Sequence, residues 1–336
     1  MVDVLNVIER VRVPSIDRRG LRVRWFERWE RTLDEALAAL PETEASPHEL
    51  LGLLMRNPSA MAKRTALVTD RDRPVAVLGL RRRKMFWEPV WGGGVNERFR
   101  LAVAEGYASA ALAATGANVW IMSRDRPSAS NAVRAVTELP RFGAPLSGAY
   151  EEHWKSSSQW DSVKQARRRS AAFTLEVDAP GSAEWTLRNW ARKWSAHEAE
   201  SDLLAAAEFY ADRSRFHAFR LYDGVTPIAG CTYIVDGTVL LAQLNYFDAA
   251  YRRNGVQTRL DDLVFAWART RYSTMDLGCS YQADSYKRRW APRDGSSWLW
   301  NVAPLHLHLV REGVRFGRRA VATGFSTFGS RPGVTA

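Results

Sequence analysis

The spacing of apolar positions along the chain changes several times, and each change marks an element. From about Glu30 to Leu40 they recur three and four apart, as on one helix face, and Pro41 ends the run. Ser46-Pro47-His48-Glu49 has the acceptor, first-turn proline and acid of a helix start, and Leu50, Leu53 and Leu54 continue it to about Asn57. Residues 65–69 and 74–80 are β-rich runs separated by Asp70-Arg71-Asp72-Arg73, which predicts a hairpin, and 85–91 extends the sheet. Gly92-Gly93-Gly94 breaks it. An alanine-rich stretch from Asn96 to Thr115 predicts a helix, and Asn118 to Ser123 a buried strand.

The second half follows the same order. A basic helix is expected from about Trp154 to Ala171, a short strand from Phe173 to Val177, and a tryptophan-bearing helix from Ala183 to Glu198 after the Pro180-Gly181 break. Runs 216–222, 227–235 and 239–247 are joined by Asp223-Gly224 and Asp236-Gly237, the dipeptide most strongly tied to tight hairpins. A helix from about Gly255 to Arg271 and a strand from Ser273 to Leu277 complete the pattern. The reading is an α+β (α/β) chain of two tandem units, each a mixed, mostly antiparallel sheet with flanking helices. They fall at 1–150 and 151–320, followed by a flexible tail at 321–336. The halves share element order and no residue-level repeat.

Composition narrows the function classes. The chain has 336 residues, 46% of them hydrophobic, which excludes a disordered or collagenous protein. Cys231 and Cys279 are too few for a disulfide framework and lack zinc-ligand clustering, and His306 and His308 have no third ligand, so no metal is expected. No membrane span or secretion signal is visible, which sets a cytoplasmic expectation. Net charge is +11 at a pI near 10.0, carried by 42 arginines against 6 lysines. From Lys287 to Arg319 the net charge is +6, a polyanion-attracting segment, although arginine-rich coding alone also yields such a surface.

Two constellations carry chemistry. Asp248 to Thr258 links a strand to a helix start through Arg252, Arg253, Asn254, Gly255 and Gln257, where free backbone N–H groups, the helix dipole and two guanidiniums suit a phosphate. The plainer reading is a loop with solvated arginines. In Asp276 to Trp290, Lys287 stands beside Arg288 and Arg289 in a chain that otherwise prefers arginine. A compact ammonium can point at one oxygen where a guanidinium fork fills a plane, so Lys287 is a candidate for holding a phosphate or a developing oxyanion; the alternative is an exposed helix lysine. Tyr281 and Tyr286 are candidate proton donors to a leaving group, or packing residues. Cys279 has no histidine near it in sequence to activate it as a nucleophile, and Arg167, Arg168 and Arg169 read first as a solvated face. The glycine run at 92–94 fits neither a P-loop nor a dinucleotide fingerprint, so nucleotide hydrolysis and hydride transfer have no support.

The strings Phe216 to Ala229, Leu244 to Tyr251, Asp276-Leu277-Gly278 and Tyr286 to Trp290, with Arg73 to Leu80 in the first half, resemble the Fem-like and BioF2-like branch of the GNAT acyltransferases over about residues 70–300. The resemblance implies two GNAT-like lobes with a cleft between them, and transfer of an activated acyl group to an amine with no covalent enzyme intermediate. It also implies that the aromatic-lysine pair Tyr286-Lys287 helps hold donor or substrate charge. The phosphate loop of ordinary acetyl-CoA enzymes reads Arg/Gln-x-x-Gly-x-Gly/Ala, whereas Arg252 to Gln257 ends in glutamine here. That departure and the charge favour aminoacyl-tRNA as the donor co-substrate, with tRNA as a partner, a small-molecule or peptide amine as acceptor and no tightly bound cofactor. An acyl-CoA donor and a non-catalytic nucleic-acid-binding protein stay open as alternatives.

Overall fold

The structure, a computed structural model, describes residues 20–42, 47–59, 61–83, 86–90, 101–127, 132–147, 155, 159–194, 196, 199–280 and 286–304. The boundary expected near residue 150, the tail at 321–336 and residues 305–319 of the basic segment lie outside them, as do Gly92 to Gly94, Tyr281, His306 and His308.

In the first half the strands are β1 (Leu21–Phe26), β2 (Lys63–Asp70), β3 (Arg73–Arg83), β4 (Phe86–Pro89), β5 (Ala102–Val103), β6 (Val119–Ser123) and β7 (Val133–Pro145). The helices are α1 (Arg31–Leu37), α2 (His48–Arg56) and α3 (Ala108–Ala114). The second half has α4 (Gln159–Arg169), β8 (Thr174–Val177), α5 (Ser182–Lys193), α6 (Glu200–Ala211), β9 (Phe216–Asp223), β10 (Thr226–Asp236), β11 (Val239–Phe247), α7 (Val256–Ala268), β12 (Thr274–Cys279), α8 (Lys287–Trp290) and β13 (Arg293–Val302).

The expected hairpins are present. Gly224 and Gly237 take φ 58° and 57°, and the β2–β3 turn places Arg71 and Asp72 at φ 48° and 69°, the left-handed pair a two-residue turn needs. The helix expected over Asn96 to Thr115 is shorter. Ala102 and Val103 pair with β3, and Gly106 at φ 79° turns the chain before α3 begins. Three further strands, β1, β7 and β13, and helix α6 were not legible in the sequence.

All the described strands belong to one sheet, in the order β1-β2-β3-β4-β6-β13-β7-β12-β11-β10-β9-β8, with β5 on β3. The two halves exchange their last strands. β7 leaves the first half to pair antiparallel with β12, Met275 opposite Ala144, while β13 returns from the second half to pair with β6, Trp300 opposite Ile121. β13 and β7 then pair with each other across the middle.

Helices cover both faces. On one, α1 and α2 and the α5–α6 pair share an apolar layer in which Leu33, Leu50 and Leu54 cluster with Leu187, Phe209 and Tyr210. On the other, α7 packs on β10 and β11 through Val256, Leu260 and Val264 against Cys231, Tyr233 and Leu240. Neighbours Leu240 and Leu241 divide between these two layers, as strand alternation requires. α5 crosses the sheet over Gly230, where a Cβ would meet Thr186.

A buried ionic cluster joins the halves at the edge of the shared layer. Lys63 Nζ donates to Asp202 Oδ1 at 2.6 Å, to Leu54 O at 2.6 Å and to Asn57 O at 3.0 Å, and Asn57 Nδ2 adds a bond to the same carboxylate at 3.0 Å. Arg81 binds Glu88 Oε1 at 2.8 Å and stands 3.7 Å from Asp202 Oδ2. The Lys63 and Asp202 side chains are 8% and 3% exposed, so each depends on the other for its charge. Asp202→Ala strands Lys63 and Arg81 without that carboxylate and is expected to cost about 3–5 kcal/mol in urea unfolding. A loss under about 1 kcal/mol, the scale of a surface pair, contradicts the arrangement.

Candidate active site at the diverging strands

β11 and β12 run parallel and pair over three positions, Val239 with Thr274, Leu240 with Met275 and Leu241 with Asp276. Beyond them the strands part. A bulge on β11 places Leu244 and Ala242 opposite Thr232 and Tyr233, and β12, turned by Gly278 at φ 73°, stays with β7 through Phe142 and Arg141. Residues 242–247 keep β10 on one side and have no strand partner on the other among the described residues. A row of backbone N–H and C=O groups therefore faces the gap, open to an extended ligand. On the far wall, Arg124 at the end of β6 binds Asp276, which also accepts from Gly278 N at 2.8 Å, so both halves meet beside the gap.

The expected phosphate loop leaves the end of β11. Asp248 caps a 3-10 turn, Ala249–Asn254, by accepting from Ala250 N at 2.9 Å, and Gly255 at φ 72° joins that turn to α7. Gly255 serves the protein itself here, since a Cβ on it would lie 3.1 Å from Ala166 Cβ of α4. The α4 arginines divide their work. Arg169 donates to Arg253 O at 3.0 Å, and Arg167 grips Asp262 through two bonds of 2.8 and 2.6 Å. Arg252 and Arg253 project their side chains into solvent, and Asn254 is half-buried. Gln257 turns along its own helix to donate to Asp261 Oδ1 at 2.8 Å, away from a phosphate position.

Tyr286 and Lys287 sit across the gap from this loop's strand. Tyr286 is 45% exposed, but its hydroxyl reaches inward and accepts from Asn245 Nδ2 of β11 at 3.0 Å. This bond bridges β11 and the α8 segment where no backbone ladder exists. Burial of the hydroxyl, followed by the nearby Asp261, pushes its pKa up, so it stays a neutral donor. Lys287 Nζ donates to Cys279 O, the end of β12, at 2.8 Å. The ammonium thus lies at the terminus of the strand that has left β11. The Cys279 sulfur rests 3.2 Å from Met122 Sδ. Buried Cys231 has its thiol pKa raised by desolvation, which disfavours a thiolate nucleophile.

One group the sequence reading passed over is Asp261. Asp261 and Asp262 are adjacent and buried in α7, but Asp262 holds Arg167 and Arg259, whereas Asp261 has only the Gln257 amide and an unpartnered Oδ2. Burial lifts its pKa from 3.8 to about 7, with Gln257 pulling down and Asp262 pushing up. A carboxyl pair followed by the apolar run Leu263 to Ala268 was the signal for it.

Among the described residues no cluster of His, Cys, Asp or Glu is placed to hold a metal, and no helix is long and apolar enough to cross a membrane. Residues 157–288 match the acetyltransferase (GNAT) domain model. The chain has the tandem GNAT fold. It superposes on a tandem GNAT protein from the clavulanic acid biosynthesis pathway with a TM-score of 0.51 at 8% identity, over 84% of this chain and 98% of the other. L-PGS from Bacillus licheniformis aligns at TM-score 0.49 and 13% identity, over 85% and 94% of the two chains. FemX aligns at 0.43 and 10%, over 85% and 99%. No curated protein sequence matches the chain.

The Asp261 assignment has a pH signature. An unfolded aspartate releases its proton near pH 4, whereas the folded one holds it to about pH 7, so this group costs wild-type stability progressively between about pH 4 and 7 and no further above. In urea unfolding at several pH values, Asp261→Asn gains on wild type across that window and then levels. A difference that is the same at every pH contradicts a raised carboxyl.

Proposed function

We propose that the protein is a Fem-like N-acyltransferase that moves an aminoacyl group from aminoacyl-tRNA directly onto a substrate amine. The observation that carries this reading is the open edge of β11 at residues 242–247, with a basic loop and helix start at one end and Tyr286 and Lys287 across the gap. An extended acyl donor can add to that edge through main-chain hydrogen bonds while its phosphates meet Arg252, Arg253 and the free N–H groups at the start of α7. The donor comes and goes as a co-substrate.

In the step itself the amine nitrogen attacks the ester carbonyl carbon. The C–N bond forms, the carbonyl oxygen becomes an oxyanion, and the C–O bond to ribose then breaks. The ribose oxygen leaves with a proton and the nitrogen loses one, so the products are an amide and deacylated tRNA. Lys287, swung from Cys279 O or shared with it, steadies the oxyanion; Tyr286 or Tyr281 protonates the leaving oxygen. Binding both partners along one edge supplies proximity.

The arginine-rich face supports a polyanionic donor. Exposed Arg252 and Arg253 adjoin Arg169 of α4, which donates to Arg253 O. This donor carries a cytoplasmic location with it. A second reading, the same chemistry from acyl-CoA, is favoured by the match of residues 157–288 to an acetyltransferase domain.

Mass spectrometry of an amine panel incubated with charged tRNA or with acetyl-CoA separates the readings. The expected product is an aminoacyl amide formed from charged tRNA, and Lys287→Ala is expected to lower its rate about 100-fold. Product from acetyl-CoA alone selects the second reading. Tight, salt-sensitive tRNA binding with no product from either donor leaves a non-catalytic nucleic-acid-binding protein. Replacing Arg252 and Arg253 by alanine is expected to weaken tRNA uniformly and flatten log K against log salt by about 1–2 units. An unchanged slope removes them from the donor path.

A further inference from the structure

The end of β11 carries a second chemical feature, on the face opposite α7. Tyr246 packs edge-on against Trp185 of α5, with ring centres 5.5 Å apart. Lys193, the last residue of α5, holds Nζ 4.1 Å from the centre of the Phe247 ring, 5.7 Å from Tyr246 and 6.0 Å from Trp194. Lys63, Lys164 and Lys287 reach carboxylate or carbonyl oxygens at 2.6, 2.7 and 2.8 Å. Lys193 has no oxygen partner among the described residues. Contact with the rings removes part of its water and lowers its pKa.

Trp194 beside it is 64% exposed, a large flat apolar surface left in water. The charged neighbours that act on Tyr246 are Asp248 and Arg192, the latter an exposed second cation on the same helix end. An ammonium held over ring faces without a counter-ion retains its demand for an anion. An indole face standing open beside it accepts a planar ring at little conformational cost. A stacking face and an adjacent free cation are the two contacts by which proteins hold a nucleotide without reading its sequence.

We propose that Trp194 and Lys193 form a nucleoside-phosphate subsite, the base stacked on the indole and a phosphate oxygen at Lys193 Nζ. Its role in the reaction rests on the donor reading above, because the terminal nucleoside of an aminoacyl-tRNA carries the ester and must lie beside the open edge that ends in Tyr246 and Phe247. Coenzyme A carries a nucleoside phosphate too, so the shared chemistry admits two sources that binding can distinguish.

Adenosine 3′,5′-bisphosphate, coenzyme A and uncharged bulk tRNA are titrated by calorimetry and tryptophan fluorescence against the wild-type protein, Lys193→Ala and Trp194→Ala. The bisphosphate is expected to bind wild type and quench its fluorescence, and each substitution to weaken it about tenfold or more with thermal unfolding unchanged. A matching loss for tRNA with coenzyme A unaffected identifies the tRNA end as the source, and the reverse pattern identifies coenzyme A; both support the subsite. No bisphosphate binding by wild type, or binding that neither substitution alters, overturns it. Because binding is read without turnover, failure to find any acyl-transfer product would remove the donor reading and leave the subsite standing.

Discussion

The candidate site depends on how β12 divides its two hydrogen-bonding edges. One edge serves β11 for three residue pairs; the other serves β7 along nearly its whole length. A strand cannot follow two partners that diverge, and β12 follows β7, a strand contributed by the opposite half. Among the described residues β11 is thereby left with an unpaired edge, which in a sheet is ordinarily closed, covered or charged. Here the edge ends in a helix start and faces a lysine and a tyrosine, so the topology itself creates a place for a ligand's backbone and its charge.

Keeping that gap open requires the two halves to hold a fixed relation. The exchanged strands do part of this, and the apolar layer shared by α1, α2, α5 and α6 does more. The Lys63–Asp202 pair adds a constraint of a different kind, because a buried charge tolerates only the arrangement that supplies its partner. Arg124 and Asp276 repeat this logic at the gap's own wall. Asp261 contrasts with both: without a cation it is held as a carboxyl near neutrality, directly behind the wall that carries Tyr286.

The hairpins were legible because their turns are local: two Asp-Gly pairs, and Asp70 to Arg73, whose central residues accept the left-handed conformation. The turn at Ala249–Asn254 was legible too, as a strand end feeding a helix start. β7 and β13 were not, because their partners lie far away in sequence. Asn301 looks like a surface residue, but it is buried with its amide on Asn118 Oδ1 and Val119 O, 183 and 182 residues away. Pro140 and Arg141 within β7 read as a break in any strand pattern, though Pro140 O accepts from Ser280 N. Helix α6 has no clean polar face, since it is enclosed by α2 and α5, and its Asp202 reads as a solvated first-turn acid. The demand for glycine at 255 was not legible either, because it comes from Ala166, distant in sequence but packed against it in space.

The most direct test of the account is hydrogen exchange followed by mass spectrometry, with and without a tRNA bearing a hydrolysis-resistant aminoacyl amide at its 3′ end. The account predicts slowed exchange in peptides covering residues 242–247 and the first turn of α7, where N–H groups now face the gap. Slowed exchange confined to other surfaces, with those amides unchanged, would contradict the assignment of the open β11 edge as the donor site.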